Sequence, residues 1–332
     1  MQYAVIYGKL GAIKRDFITY EDMNKISSAE TLEELASLFS TKQRLKIDFN
    51  PGENSSPINI ERSIRAAFID KVASFLHYLS SAQRSIFEYI LYRYDLYNLK
   101  ILLALHLSGH DEDIKRFVYP NTPLFKRYGF LLDKSVLVDK DLLSAFKGTP
   151  IFPFLMDAYR KYKESLDMFF LDTILDDSYY HQMLEIVINS KDNGLIRLWD
   201  IMLLVRNLEW GSRMKFLHKM RREEIFYYLV LPLPGINTDT LMACFSVASE
   251  KEFINRASEF LSRFGFDKRN LDNVPDFIYD LNMWREKYLK IASKDMNINS
   301  LLGVVAWCLL QERYIDNTSS KLQSIYYGKA LI

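Results

Sequence analysis

The sequence predicts an all-α protein, and three observations carry that prediction. Apolar residues recur every three or four positions over long stretches, as in Ile60, Ile64, Phe68, Val72, Phe75 and Leu79. Alternating strand patterns are few, and no stretch has the spacing of a βαβ unit. One helix with polar residues on its core-facing stripe also comes back twice further along the chain.

That helix is first met at Leu91-Tyr-Arg-Tyr-Asp95-Leu-Tyr-Asn98, where Leu91, Asp95, Asn98, Leu102 and Leu105 share one stripe. It recurs 105 positions on, with Ile196 for Leu91, Asp200 for Asp95, and Leu203 where the amide stood. A further 114 positions on, Leu310 and Asn317 are in register and Tyr314 stands in place of the acid. The spacing predicts a unit of about 110 residues used three times, hence lobes at 1–112, 113–220 and 221–332.

Taken in order, an opening helix is expected from Tyr3 to about Tyr20, interrupted by Gly8 and Gly11, which would let another element approach closely. Ser27-Ser28-Ala-Glu30 reads as a cap leading into a short helix from Thr31 to Phe39. Asp48 to Pro57 reads as a loop. A long amphipathic helix runs from Ile60, and Ser80-Ser81 caps the Asp95 helix, which stops near Gly109. Short helices are expected at Asp113–Val118 and Asp139–Phe146. A long helix from Phe154 to about Leu171 then leads to an acidic turn at Leu175-Asp-Asp177, a helix to Val187 and the Asp200 helix. Val230-Leu-Pro-Leu-Pro-Gly235 forms a rigid apolar turn. Ser249 caps a helix from Phe253 to Phe264, another runs from Asp276 to Ala292, and the Asn317 helix closes the chain.

Composition narrows the function. A chain of 332 residues, 49% hydrophobic and 26% charged, buries sizeable cores. Its 43 basic and 42 acidic residues leave a formal charge of +1, so no overall field favours nucleic acid or anionic lipid. Cys244 and Cys308 lie in apolar surroundings with neither a disulfide framework nor metal-ligand spacing, which suits a reducing cytosolic compartment. The first residues lack the pattern of a signal peptide. The longest uncharged apolar run, Leu301 to Leu310, is about half of a membrane span.

These markers resemble those of the C (or d) subunit of V-type and archaeal A-type rotary ATPases, the AC39 family. The resemblance rests on Tyr94-Asp95-Leu-Tyr-Asn98-Leu99-Lys100, on Trp199-Asp200 to Arg206, and on Leu171-Asp172 to Tyr179-Tyr180. The Pro-Gly turn and the closing Glu312-Arg-Tyr-Ile-Asp-Asn317 helix complete it, over essentially the whole chain. Leu203, Tyr314 and Gly8-Lys9-Leu10 depart from the family's usual residues. The resemblance implies a funnel of three helical lobes with pseudo-threefold symmetry. It also implies a non-catalytic rotor adaptor, seated on the membrane proteolipid ring at the cytoplasmic side and receiving the foot of the central shaft (subunits of D and F type). It implies no cofactor.

Candidate sites are weighed against that expectation. Asp95, Asn98, Asp200 and Asn317 are expected to be structural polar positions, since a buried carboxylate must be hydrogen-bonded or neutralised. Asp172, Asp176 and Asp177 offer a magnesium-diphosphate site of an all-α prenyl-transferring enzyme, but Tyr180 stands where a further acid is needed. His106 and His110, four apart, would share a metal only on an unbroken helix, and Gly109 falls between them. No catalytic or metal residues are therefore assigned. The basic run Arg213 to Arg222 is either a solvated face with internal ion pairs or a patch for an acidic partner. In the pairs Tyr179-Tyr180 and Tyr227-Tyr228 the two rings cannot both face one core. A helical-repeat scaffold for unrelated partners is the third reading.

Overall fold

The computed structural model describes residues 4–40, 57–109, 117–119, 122–133, 138–267 and 271–328. The loop expected at 48–57 and the helix expected at 113–118 fall largely outside these, as does His110. Every regular element among the described residues is helical and none is a strand.

The helices are α1 (Ala4–Ile13), α2 (Tyr20–Ser28), α3 (Leu32–Ser40), α4 (Pro57–Phe75) and α5 (Ser81–Ser108). Next come α6 (Phe125–Tyr128), α7 (Asp139–Phe146), α8 (Phe152–Ser165), α9 (Met168–Asn189) and α10 (Asn193–Phe216). The series ends with α11 (Arg222–Tyr227), α12 (Thr238–Cys244), α13 (Glu250–Ser262), α14 (Val274–Ala292) and α15 (Leu302–Tyr327).

Five features correct the sequence reading. The opening helix ends at Ile13, because Thr19 starts α2 instead: its hydroxyl accepts from the Asp22 N–H at 3.2 Å while Asp22 accepts from the Thr19 N–H at 2.8 Å. Ser27 and Ser28 end α2; Thr31 is the residue that caps α3, accepting from Glu34 N–H at 3.2 Å. Gly8 and Gly11 do not interrupt α1, and a Cβ at either would meet nothing within 4 Å. The helix expected over 154–171 breaks at Leu166, which takes φ 56°, and Asp167 then caps α9 through the Phe169 N–H at 2.9 Å. The acidic turn is no turn: Asp176 and Asp177 lie mid-way along α9, whose Leu171, Leu175 and Tyr179 are buried at helical spacing.

The chain divides into two compact units, one of residues 1–156 with 296–332 and one of 157–295. In the first, α15 packs against α4, α2, α1 and α3, so the chain's last helix lies among its first. Trp307 of α15 is 5.4 Å from Phe17 and 6.4 Å from Phe68 and Phe75, ring to ring, in a core from which all four are nearly absent to solvent. Around it, Tyr7 donates to the Ser300 carbonyl at 3.0 Å, and Arg65 joins Asp316 to Glu61 at 2.8 Å each. In the second unit α10 packs against α9, α14 and α11. Phe253 of α13 meets Phe216, Phe245 and Phe277 at 5.6 to 5.7 Å. A Cβ on Gly211 would stand 2.4 Å from the Phe245 ring, so α10 comes this close only with glycine there.

Candidate functional site

Each compact unit is organised by a long helix that holds a downstream segment through buried polar side chains. In the first unit the helix is α5. Asn98, fully buried, donates to the Tyr119 carbonyl at 2.8 Å and accepts from the Tyr119 N–H at 2.7 Å. Its second N–H reaches the Tyr128 hydroxyl at 2.7 Å, which donates in turn to Asp95 at 2.9 Å. Asp95 also accepts from the Thr122 hydroxyl and from the Leu124 N–H at 3.0 Å. One turn of α5 thus clasps Tyr119, Thr122, Leu124 and Tyr128, and Tyr128 stacks on Phe146 of α7 at 5.2 Å.

Burial pushes the Asp95 carboxyl up from its ordinary 3.8 to about 6, although Thr122, Leu124 and Tyr128 all donate to it. Desolvation therefore outweighs three hydrogen bonds here. The same burial raises the Tyr128 phenol. No face of this carboxylate meets solvent: the residue is 2% exposed, which suits a clasp and leaves no path for a substrate.

In the second unit α10 does the same for the segment after α11. Asn207, fully buried, donates to the Val230 carbonyl at 3.0 Å and accepts from its N–H at 3.1 Å. Asp200 accepts from the Gly235 N–H at 2.8 Å, so close that a Cβ on Gly235 would stand 2.7 Å from Asp200 Oδ2. Burial raises the Asp200 carboxyl, and the Gly235 bond partly offsets it. The segment between includes a cis bond at Leu231-Pro232. From α9, His181 Nδ1 lies 3.2 Å from Asp177 Oδ2 and 3.0 Å from the Asp177 carbonyl. The bond to Asp177 raises the imidazole's pKa, and the Leu231 backbone adds to the shift.

Leu203, which stands at the amide's place in the expected register, is a core residue at 0% exposure, and the amide that binds the chain is Asn207, one turn further along the same face. The equivalence with Asn98 lies in what the amide holds: a single downstream residue, by both its N–H and its carbonyl, 21 residues away in one case and 23 in the other. On α15, Asn317 is half-buried, and Gln311, 3% exposed, donates to the Ile18 carbonyl at 3.0 Å. A signal for Asn207 was present, since it follows Asp200 by seven residues on one helix face.

The remaining candidates separate. Asp172, Asp176 and Asp177 are half-buried along α9, with Asp177 engaged by His181. His106 faces Asp139 at 2.9 Å. Among the described residues no three His, Cys, Asp or Glu side chains are placed to hold a metal ion. Burial pushes the Cys244 thiol up to about 12, and the Cys308 thiol is raised as well, so neither is a ready nucleophile. In the basic run Arg213 pairs with Glu209 at 2.9 Å and Arg221 with Glu224 at 3.4 Å, while His218 stacks on Phe169 at 4.2 Å. Tyr179 and Tyr228 are buried; Tyr180 is half-buried and Tyr227 exposed.

A helical chain that twice fastens a following segment to a polar pair, and whose described residues gather no metal ligands, is compared most directly through its family. The family model for the ATP synthase (C/AC39) subunit matches residues 6–320. The chain belongs to that family. No curated protein matches it. The match takes in α5, α10 and most of α15, so both polar clasps and the closing helix lie within the C/AC39 region. A C/AC39 subunit is part of a V/A-type ATPase complex, and among this subunit's described residues no helix is long and apolar enough to cross a membrane.

Proposed function

We propose that this C/AC39 subunit is the non-catalytic rotor adaptor of a V/A-type ATPase. It joins the central-stalk shaft, with its D- and F-type subunits, to the membrane proteolipid ring, and it sits peripherally at the cytoplasmic side as part of the complex. The observation that carries this reading is the family match over residues 6–320, nearly the whole chain.

The physical demand on such a part is stiffness. Each charge crossing 100 mV carries roughly 2.3 kcal/mol. Several charges cross per nucleotide, so the adaptor passes on the order of ten kcal/mol without yielding. Buried clasps that fix a segment by both its N–H and its carbonyl, as Asn98 and Asn207 do, support that role. The roles of Asp95 and Asp200 are then mechanical. The arrangement proposed with it is three lobes, 1–112, 113–220 and 221–332, closing around an axis as a funnel. An enzyme built on Asp172 has no comparable support.

The test is co-purification from native membranes with the tagged chain, followed by mass spectrometry of what stays bound in mild detergent. Recovery of a proteolipid ring with shaft and catalytic subunits is expected. A clean monomer, or unrelated soluble partners, would overturn the adaptor role.

A further inference from the structure

Arg206 of α10 is 4% exposed, and its Nε, Nη1 and Nη2 are all buried without a hydrogen-bond partner. No carboxylate among the described residues pairs with it. Its guanidinium instead lies 4.4 Å from the Tyr180 ring centroid and 4.9 Å from that of Trp210. Cation–π attraction offsets only part of the cost of burying a charge, and the N–H groups in the guanidinium plane gain nothing from ring faces. Arg65, half-buried, has by contrast both Asp316 and Glu61.

The geometry points to Arg206 as the receptor for a carboxylate presented by a partner protein, an Asp or Glu side chain entering beside Tyr180 and Trp210. A planar guanidinium with aromatic neighbours keeps its donors at the edge, where two parallel N–H groups match the two oxygens of a carboxylate. A phosphate, with its greater charge, would call for a second cation. Arg213, seven residues on and on the same face, is already paired with Glu209 at 2.9 Å. On the helix that carries Tyr180, Asp177 is engaged by His181 at 3.2 Å. Tyr180 and Trp210, the rings beside the guanidinium, are each only half-buried. The inference does not rest on the adaptor reading, because any partner bearing an exposed acid could supply the group.

The test uses the full chain, with sodium acetate as the carboxylate probe and sodium chloride at equal ionic strength as the reference. In the wild type, acetate should raise the folding equilibrium constant in step with its concentration, roughly tenfold when it stands at ten times its Kd. Arg206→Met should show no such gain, and in chloride it should be at least as stable as the wild type, since it removes a buried charge that lacks a partner. Arg206→Lys keeps the charge without the fork, should fold, and should lose most of the acetate gain, so the result is readable even if the Met variant fails to fold. In co-purification both variants should retain at least tenfold less of one partner. The proposal is overturned by equal stabilisation of wild type and variants in acetate, by no acetate effect in the wild type, or by Arg206→Met unfolding more readily in chloride. The last result would make the aromatic clasp the residue's whole role.

Discussion

Asn207 and Val230 exchange two hydrogen bonds, 3.0 Å from the amide to the Val230 carbonyl and 3.1 Å from the Val230 N–H back to the amide. A side-chain amide here replaces the neighbouring strand that an extended residue would otherwise need, and it does so at 0% exposure. Replacing it with Leu keeps the branched outline, adds bulk and strands both main-chain groups. Asn207→Leu is expected to cost about 3 kcal/mol, from two unmet buried groups. Urea unfolding checks this, and a shift below about 0.5 kcal/mol would mean that water satisfies Val230 equally well.

Gly235 and Asp200 make a second, coupled test. A methyl group on Gly235 would lie 2.7 Å from Asp200 Oδ2 and must push the carboxylate off the Gly235 N–H. Gly235→Ala should cost about 2 kcal/mol as an overpacking defect. In an Asp200→Ala background the obstacle is gone, so the same change should cost less than half as much. Additive losses in the double-mutant cycle would show that the two positions are not coupled.

The polar pair on α5 was legible in the sequence because Asp95 and Asn98 interrupt an apolar stripe, and a stripe is a local property of one helix. Its partners were not legible. Tyr119, Thr122 and Leu124 lie in irregular chain, and nothing in their spacing announces that they fold back onto α5. The amide of the second clasp was missed for a related reason: aligning Asp200 with Asp95 puts Leu203 at the amide's place, and it is Asn207, one turn further on, that holds Val230. The break at Leu166 was hidden by apolar periodicity that continues across it from α8 into α9, and only the capping residue Asp167 marks it.

Asp95 should set a characteristic acid response. Its folded pKa of about 6 stands above its ordinary 3.8, so between those values the folded state binds the proton more tightly. Stability then rises as pH falls through 6 and levels off below about 4, the reverse of a salt-bridged carboxylate. The size is about 2 to 3 kcal/mol. Subtracting the urea stability of Asp95→Asn from that of the wild type between pH 4 and 7 isolates it, and a flat difference would refute it. If the variant folds and assembles yet pumping is lost, the structural assignment of Asp95 is wrong.

His181 should act in the same sense as Asp95 but in a higher pH window, on the segment that Asn207 holds. Its bond to Asp177 raises its pKa in the folded state above the ordinary 6.5. The stability it gives is complete below 6.5 and is lost as pH rises through the raised value. His181→Gln should lower the thermal midpoint below pH 6.5 and flatten its fall over the weakly alkaline range. A wild-type midpoint that stays level from pH 6.5 to 9 would show that the segment ignores this histidine.

Arg93 and Glu312 decide how firmly the last helix is held. Glu312 of α15 is 4% exposed and its carboxyl is raised by burial, while Arg93 of α5 reaches it at 2.8 Å with a side chain 44% exposed. The pair is asymmetric: removing the Arg93 cation leaves a buried carboxylate, whereas removing the acid leaves an arginine that water can solvate. Arg93→Met should therefore destabilise the protein by about 2 kcal/mol, discounted for the solvent already around the arginine. Glu312→Gln should cost less than that, and the double variant should be more stable than Arg93→Met alone, because the stranded charge is gone. The order of the three urea midpoints is the measurement. If Arg93→Met and Glu312→Gln cost the same and simply add, the buried acid is neutral without its arginine, and α15 is held by the Trp307 core and the Gln311 bond to Ile18.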